Sequence, residues 1–186
     1  MKHNTPCVIF AGGKSSRMGK DKSLLPFYGK PLIRYQYERL SKIFNEVYIS
    51  AKEPKFDFKA PLILDSSEIF APTPAFLDIF EHFDEFFALA VDSPFVDRVV
   101  IDTIMQAAKE NLKADAIIAK TNFPHPLIGI YRKSILPYIQ KAVANNNYKL
   151  NAILRQAHTL FVKFEEEEKF FNINYPEDFT KAKNML

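Results

Sequence analysis

Short apolar runs alternate with longer amphipathic segments along the sequence, and this alternation constrains the fold more than any other feature. The apolar runs predict strands at 7–10, 46–50, 61–65, 86–92, 114–119, 126–132 and 159–164. Apolar residues at helical spacing predict helices at 31–44, 74–83, 96–112, 133–144 and 148–157, and FFNIN (170–174) leads into a last helix. Strands and helices that alternate through short connections predict an α/β fold, a three-layer sandwich around a mostly parallel sheet.

Chain length and composition limit the number of domains and the compartment. The chain has 186 residues, of which 47% are hydrophobic, so we expect one well-buried core and a single domain over residues 1–186. No stretch approaches the roughly 18 apolar residues of a membrane span, and the first ten residues lack the pattern of a signal peptide. We therefore expect a cytoplasmic protein without membrane contact. The one cysteine, Cys7, is expected to be a buried strand residue.

Positive charge is concentrated in one glycine-containing stretch, FAGGKSSRMGKDK at residues 10–22. Three of the five glycines lie in it, and four cationic side chains accompany a single aspartate. The net charge of +3 for the whole chain is too small to suggest a nucleic-acid partner. Because glycine lets a backbone approach a ligand closely, the stretch predicts a phosphate-binding loop after the first strand. A ligand-free turn is the alternative, which four cations in one turn disfavour.

Two common phosphate-binding motifs are excluded at this loop. Gly13-Lys14-Ser15 looks like the end of a Walker A loop, but that motif needs a glycine where the chain has Val8. A dinucleotide fingerprint starting at Gly12 would need a second glycine where the chain has Lys14. The loop therefore belongs to another class of phosphate site.

Polar residues mark the predicted carboxyl ends of three further strands: Ser50, Asp65 and Asp92. In an open parallel sheet, ligands bind beyond these ends. A single carboxylate there could merely cap a helix, whereas two of them near a cationic glycine loop favour a divalent cation facing phosphates. Mg²⁺ takes one or two carboxylates and completes its shell with water and phosphate oxygens. The pattern predicts a nucleoside triphosphate site with Mg²⁺.

The opening stretch resembles the signature of nucleotidyltransferases that begin with A-G-G or A-A-G, a short spacer, R-M-G and a lysine. Within that superfamily, further stretches resemble the molybdenum cofactor guanylyltransferases, the MobA family: GKPLI (29–33), VDSPFV (91–96), HPLIGIYRKSILP (125–137) and NINYPEDF (172–179). These matches occur in the family's order over almost the whole chain. The resemblance implies a Rossmann-like sheet of the nucleotidyltransferase type.

The resemblance also implies an activity, transfer of GMP from GTP to the phosphate of molybdenum-molybdopterin. The reaction releases pyrophosphate and forms the molybdopterin guanine dinucleotide cofactor. GTP and molybdopterin would be the substrates and Mg²⁺ the cofactor. Transient contacts with molybdoenzymes or their chaperones are implied as well.

Residue roles follow from the resemblance in the same way. Arg17 and Lys22 would neutralise the triphosphate and the leaving pyrophosphate, and Asp92 would hold Mg²⁺; these three are the expected catalytic residues. Asn172 and Asn174 of the closing motif would face the pterin side or frame the metal region. The nucleotide is expected to contact Phe10, Ala11, Gly12, Gly13, Lys22, Ser50, Asp65 and Asp92.

Departures from the family pattern keep other functions open. Lys20 replaces a glycine in a loop one residue shorter, Ser50 stands where asparagine is commoner, and residues 71–80 lack the usual glycine-proline-leucine. A nucleotidyltransferase acting with CTP or on a sugar or polyol phosphate is one alternative, and a nucleotide-binding protein without transfer activity is another. His125 is either a neighbour of the substrate or an ordinary loop histidine.

Overall fold

The computed structural model describes residues 1–13 and 21–185. Its strands are β1 (Cys7–Phe10), β2 (Pro26–Phe27), β3 (Lys30–Pro31), β4 (Val47–Ala51), β5 (Leu62–Leu64), β6 (Glu85–Ala90), β7 (Ala116–Lys120), β8 (Pro124–Arg132) and β9 (Thr159–Lys163). Its helices are α1 (Leu32–Leu40), α2 (Pro72–His82), α3 (Arg98–Glu110), α4 (Leu136–Ala144), α5 (Leu150–Leu154) and α6 (Pro176–Lys183). Short 3-10 helices occupy Lys22–Leu24, Lys133–Ile135 and Glu167–Phe170. Within the described ranges, no helix combines the length and apolarity needed to cross a membrane.

Seven strands form the central sheet, in the order β5-β4-β1-β6-β8-β7-β9. β1 pairs in parallel with β4 and β6, β4 with β5, and β7 with β9. β8 is antiparallel to both of its neighbours. The predicted mostly parallel sheet is therefore confirmed. The carboxyl ends of β5, β4, β1 and β6 lie at one edge, where a ligand site is expected.

Helices cover both faces of the sheet, which confirms the three-layer sandwich. Successive residues of a strand point to opposite faces: Cys7 and Ile9 pack with α1, α3 and α6, whereas Val8 and Phe10 pack with α2, α4 and α5. Cys7 is fully buried in β1, as predicted. This burial raises the pKa of its thiol far above the ordinary range.

Several predicted boundaries differ from the observed ones. α1 ends at Leu40 instead of residue 44, because the amides of Lys42 and Ile43 donate to carbonyls three residues back, those of Arg39 and Leu40, instead of four. β6 ends at Ala90 instead of residue 92, because the amide of Ser93 donates to the Ala90 carbonyl and closes a turn. Ser50 was expected at the carboxyl end of its strand, and β4 continues one residue beyond it, to Ala51. The side chain of Ser50 nevertheless reaches the ligand edge of the sheet.

The hairpin of β2 and β3 was not predicted. Each of its strands has only two residues, too few for an alternating pattern to be visible. Tyr28 and Gly29 connect them with φ values of 49° and 76°. Two consecutive residues with positive φ are typical of a tight hairpin turn, and Gly29 supplies the conformation most easily. The hairpin leads directly into α1.

Candidate active site

A cavity of about 740 Å³ opens at the carboxyl-terminal edge of the sheet, within the range of about 300 to 1,000 Å³ typical of ligand pockets. The glycine loop, the ends of β4 and β5, the turn after β6, the start of β8 and the segment around α5 surround it. It is lined by most of the predicted site residues: Phe10, Ala11, Gly12, Gly13, Lys22, Ser50, Asp65, Asp92 and Asn172. The structure thus brings together residues from distant parts of the chain. Arg17 lies outside the described residues.

The backbone at the start of the glycine loop leaves room beside Gly12 and Gly13. Neither residue has the positive φ found at Gly29. A Cβ added at Gly12 would come no closer than 3.9 Å to a described atom, and one at Gly13 would meet none within 4 Å. Packing among the described residues therefore does not require glycine at either position. The missing side chains leave space at the cavity for a ligand.

Lys22 is held at the cavity by the 3-10 helix that begins with it. Asp21 caps this helix, its Oδ1 accepting a hydrogen bond from the amide of Ser23 at 2.9 Å. Burial alone would raise the pKa of Asp21, but hydrogen bonds from Lys55 and Ser23 outweigh it and hold that pKa below its usual range. The charged cap fixes the backbone from which Lys22 extends.

The ammonium group of Lys22 joins two residues that the sequence predicted for the site. Its Nζ lies 3.1 Å from Oδ2 of Asp92 and 2.9 Å from Oδ1 of Asn174. The Lys22 and Asp92 side chains are 16% and 19% exposed, so water screens their ion pair only in part. Asn174 does not line the cavity itself but reaches the cluster through Lys22.

The closing motif packs against the turn that carries Asp92. The Ser93 hydroxyl donates to Oδ1 of Asn172 at 2.7 Å, and the amide of Ile173 donates to the Asp92 carbonyl at 2.9 Å. Ile173 is itself fully buried. The closing motif therefore reaches the Asp92 turn through Asn172 and Ile173, and Lys22 through Asn174.

Asp65 occupies another part of the cavity and has its own lysine. Its carboxylate lies 2.6 Å from Nζ of Lys52 and accepts a hydrogen bond from the amide of Ser67 at 3.0 Å. The side chain of Asp65 is only 4% exposed. Lys52 was missed in the sequence, although it directly follows β4, where the strand-end rule could have found it.

The donor set around Asp92 fits a cation that is shared with a phosphate. Among residues 1–13 and 21–185, no group of three or more histidine, cysteine or acidic side chains is placed to hold a metal. A complete protein-only cage is therefore not part of the described site. Mg²⁺ commonly binds one or two carboxylates and takes its remaining ligands from water and phosphate oxygens, which a single accessible carboxylate can satisfy.

His125 lies at the same cavity, on β8. Its Nε2 is 2.9 Å from the Thr121 hydroxyl, and its ring stacks on Phe170 with centroids 4.6 Å apart. Burial lowers the pKa of His125, and the charge of Glu167 offsets part of that effect. The structure therefore makes His125 a packed cavity residue that favours the neutral imidazole.

Comparisons with known proteins agree with this geometry. The model of the MobA-like NTP transferase domain matches residues 7–160. The chain is 41% identical over 185 residues to a molybdenum cofactor guanylyltransferase of Campylobacter jejuni, covering 97% of this chain and 96% of the relative. It is 31% identical over 198 residues to one of Helicobacter pylori, covering 98% and 94%.

A solved structure supports the same fold. The crystal structure of molybdopterin-guanine dinucleotide biosynthesis protein A from Archaeoglobus fulgidus superposes with a TM-score of 0.84. It covers 97% of this chain and 98% of that one, at 23% identity. The resemblance seen in the sequence is thus confirmed over nearly the full length. The chain belongs to the MobA-like NTP transferase family and is a nucleotidyltransferase.

Proposed function

We propose that this chain is a molybdenum cofactor guanylyltransferase. It transfers GMP from GTP to the phosphate of molybdenum-molybdopterin, releases pyrophosphate and forms the guanine dinucleotide cofactor. The observation that carries the proposal is the cluster of Lys22, Asp92 and Asn174 beside the glycine loop. Relatives named for this activity, aligned over almost their whole length, support it. We further propose that residues 1–186 form one nucleotidyltransferase domain.

The cationic side chains of the loop bind the triphosphate in this proposal. The backbone amides of Gly12 and Gly13 would face the phosphate oxygens, as a nest of amides does, whereas the amide of Ala11 donates to the carbonyl of Ser50 at 2.9 Å. Lys22 and Arg17 neutralise the triphosphate, and they stabilise the charge that grows on the leaving pyrophosphate. The attacking oxygen belongs to a phosphate that is already ionised, so no strong general base is needed. Catalysis then consists of positioning and electrostatic stabilisation.

Asp92 is the residue that would hold Mg²⁺. Held there, the ion would supply positive charge that stabilises the phosphates. In the free protein Asp92 is paired with Lys22, so its carboxylate becomes available to a cation once Lys22 turns to a phosphate. We therefore expect tight metal binding only together with the nucleotide. Ser50 and Asp65 would contact the nucleoside, with Lys52 holding the Asp65 carboxylate in place.

Two further parts of the proposal rest on the resemblance. Asn172 and Asn174 would face the pterin side or frame the metal region. A cytoplasmic location and transient contacts with molybdoenzymes or their chaperones stay predictions from the sequence.

Calorimetric titration of GTP, CTP and ATP, each with and without Mg²⁺, tests the proposal without the pterin substrate. We expect GTP to bind most tightly and its affinity to depend on Mg²⁺. A preference for CTP would replace the guanylyl proposal with cytidylyl transfer. If none of the three nucleotides binds, the proposed guanylyltransferase function is contradicted.

A pyrophosphate-release assay with GTP and molybdenum-molybdopterin then tests the assignment of Asp92. Asp92→Asn should abolish Mg²⁺-dependent release while the far-UV circular dichroism stays that of the wild type. Asp84→Asn is the matched control, because Asp84 precedes β6 at the opposite edge of the sheet and is exposed. Wild-type turnover in Asp92→Asn would remove the metal assignment.

A further inference from the structure

Two polar side chains of α1, Gln36 and Arg39, lie beneath the turn that carries Asp92. We define the Asp92 turn as residues 91–97, between β6 and α3. Gln36 is fully buried, and its amide nitrogen donates to the carbonyl of Val91, the first residue of the turn, at 3.2 Å. Arg39 donates through Nη1 to the carbonyl of Val96, near the end of the turn, at 2.5 Å. Both ends of the turn are thus bonded to one helix.

The two side chains also bind each other. Oε1 of Gln36 accepts hydrogen bonds from Nε of Arg39 at 3.1 Å and from Nη2 at 2.6 Å. The amide oxygen is therefore fixed on Arg39, and the amide nitrogen is left to face Val91. This arrangement satisfies the buried amide at both of its ends, as burial of a polar group requires.

Burying Gln36 and Arg39 costs free energy of solvation, so their position calls for an explanation. The contacts that they make outside the pair are with the Asp92 turn. Burial lowers the pKa of Arg39, with Tyr35, Cys7 and Asp97 acting in the opposite direction; the guanidinium nevertheless stays charged at neutral pH. Apolar side chains of similar size often stabilise a protein as well as a buried polar pair does. The hydrogen bonds that leave the pair reach the turn carbonyls of Val91 and Val96.

The sheet holds the turn at its first residue, where the amide of Val91 donates to the carbonyl of Phe10 at 3.1 Å, and residues 92–97 are held by contacts from other segments. β6 ends at Ala90. Beyond it, the Asp92 carbonyl accepts the amide of Ile173 at 2.9 Å. At the far end, Asp97 caps α3 by accepting the amide of Val100 at 2.9 Å. The contact from Ile173 fixes the middle of the turn, while Gln36 and Arg39 hold its two ends against α1.

This step rests on the proposed function, in which Asp92 holds a divalent cation. We propose that Gln36 and Arg39 are positioning residues, which fix the Asp92 turn so that its carboxylate faces the phosphates. Without them Asp92 keeps the contact from Ile173, but the turn loses its bonds to α1 at Val91 and Val96 and is held less firmly at the cation site. Removing residues that orient metal ligands typically lowers metal affinity by about 10- to 100-fold.

Two variants remove the contacts: Gln36→Met keeps the side-chain length, and Arg39→Met keeps an unbranched apolar side chain but removes the guanidinium end. Calorimetric titration of Mg²⁺ into protein saturated with GTP should show an apparent metal affinity lowered by about 10- to 100-fold. Affinity for GTP without metal should equal that of the wild type. Arg34→Met is the matched control: Arg34 lies on the same helix, is exposed and pairs with Glu38, so metal affinity should not change.

Hydrogen exchange measured by mass spectrometry gives a second readout that needs no ligand. The amides of residues 91–97 should exchange faster in Gln36→Met and Arg39→Met than in the wild type or Arg34→Met. If Arg39→Met does not fold, Arg39→Lys keeps the charge, loses the second donor to Gln36 and should show the same changes at smaller size. A lower melting temperature with wild-type metal affinity and wild-type exchange over 91–97 would reduce the pair to a structural role.

The outcomes separate this inference from the proposed function. If the wild-type protein binds GTP with Mg²⁺ and the variants bind the metal equally well, the positioning role is overturned and the proposed function stands. Wild-type protein that binds no GTP would overturn the proposed function. If GTP does not bind, the hydrogen-exchange result still decides the role of Gln36 and Arg39. Faster exchange over 91–97 in the variants would support their role in fixing the turn, and unchanged exchange would overturn that role as well.

Discussion

Lys22 connects more of the proposed site than any other residue described above. Its single ammonium group reaches Asp92 in the turn after β6 and Asn174 near the end of the chain. In the proposed reaction the same group faces the triphosphate. A change at this residue should therefore affect nucleotide binding more than the fold, because the side chain lines the cavity and does not belong to the hydrophobic core.

Replacing Lys22 by alanine should weaken binding of GTP with Mg²⁺ by roughly 10- to 100-fold, since a hydrogen bond to a charged group contributes about 1.5–3 kcal/mol. The melting temperature should stay close to that of the wild type. Calorimetry and thermal melts measure the two effects. Lys133→Ala is the control, because Lys133 pairs with Asp84 at the opposite edge of the sheet. A large drop in melting temperature with unchanged GTP affinity would make Lys22 structural.

His125 should make the stability of the protein depend on pH. Its pKa in the folded state lies below the ordinary histidine value of 6.5, so the folded protein binds fewer protons than the unfolded chain in this range. The free energy of unfolding should therefore fall as the pH drops below about 6.5. Urea denaturation at a series of pH values between about 5 and 7.5 measures this slope.

His125→Gln should reduce the slope, because glutamine can keep a hydrogen bond with Thr121 but does not titrate. His82→Gln is the control; His82 is exposed at the end of α2, and its replacement should leave most of the slope in place. An unchanged pH dependence in His125→Gln would show that other groups cause it.

Among the elements, β8 contains the described glycine with the closest surroundings. Gly129 of β8 faces β7 so closely that an added Cβ would lie 2.2 Å from the carbonyl oxygen of Ile117. That oxygen belongs to the backbone of a central strand and cannot move away easily. The chain therefore needs glycine at this position because two strands approach closely, and not because of a positive φ.

Gly129→Ala should lower the free energy of unfolding by about 1–3 kcal/mol, the usual cost of overpacking a core. Urea denaturation measures the loss. Gly13→Ala provides the contrast, because a Cβ there meets no described atom within 4 Å. This second variant should keep wild-type stability but bind GTP less well, since the new methyl group enters the space proposed for phosphate. Equal stability of both variants would contradict the close approach seen at Gly129.

At the level of elements, the sequence predicted most strands but not the direction in which each one pairs with its neighbours. Apolar runs located β1, β4, β6 and β7, since burial on both faces leaves a visible pattern. The direction of β8 could not be predicted, because the same side-chain pattern suits a parallel or an antiparallel neighbour. The end of α1 at Leu40 depends on backbone turns that no periodicity encodes.

The site was partly predictable for a similar reason. Asp65 and Asp92 follow apolar runs, so the strand-end rule located them, and Lys52 and Ser93 could have been found in the same way. The hydrogen bonds between Gln36 and Val91 and between Lys22 and Asn174 could not be predicted from the sequence. They join segments far apart in the chain, and only the tertiary arrangement brings these together.

On the scale of the whole molecule, early and late parts of the sequence meet at the site, as Lys22 and Asn174 show. The family model ends at residue 160, yet Asn172 and Asn174 bind the Asp92 turn and Lys22 from beyond that point. The segment after β9 also contributes Phe170 and Ile173 to the buried core. It is therefore part of both the packing and the proposed chemistry.

Removing residues 165–186 should cost on the order of several kcal/mol of stability, since each large buried apolar side chain contributes about 1.5–3 kcal/mol. Mg²⁺-dependent GTP binding should be lost as well. Urea denaturation and calorimetry measure the two losses, and deletion of residues 184–186 is the control, because Asn184 and Met185 are exposed. Wild-type stability of the shorter chain would contradict the packing role of this segment.

The burial of Cys7 gives the molecule a practical property. Thiol reagents attack the thiolate, and Cys7 is both fully buried and shifted to a high pKa. Because it is the one cysteine of the chain, Leu112→Cys, at a position 76% exposed, would offer a single site for a fluorescent label on the folded protein. The slow reaction of Cys7 itself would then report how often the sheet opens to solvent.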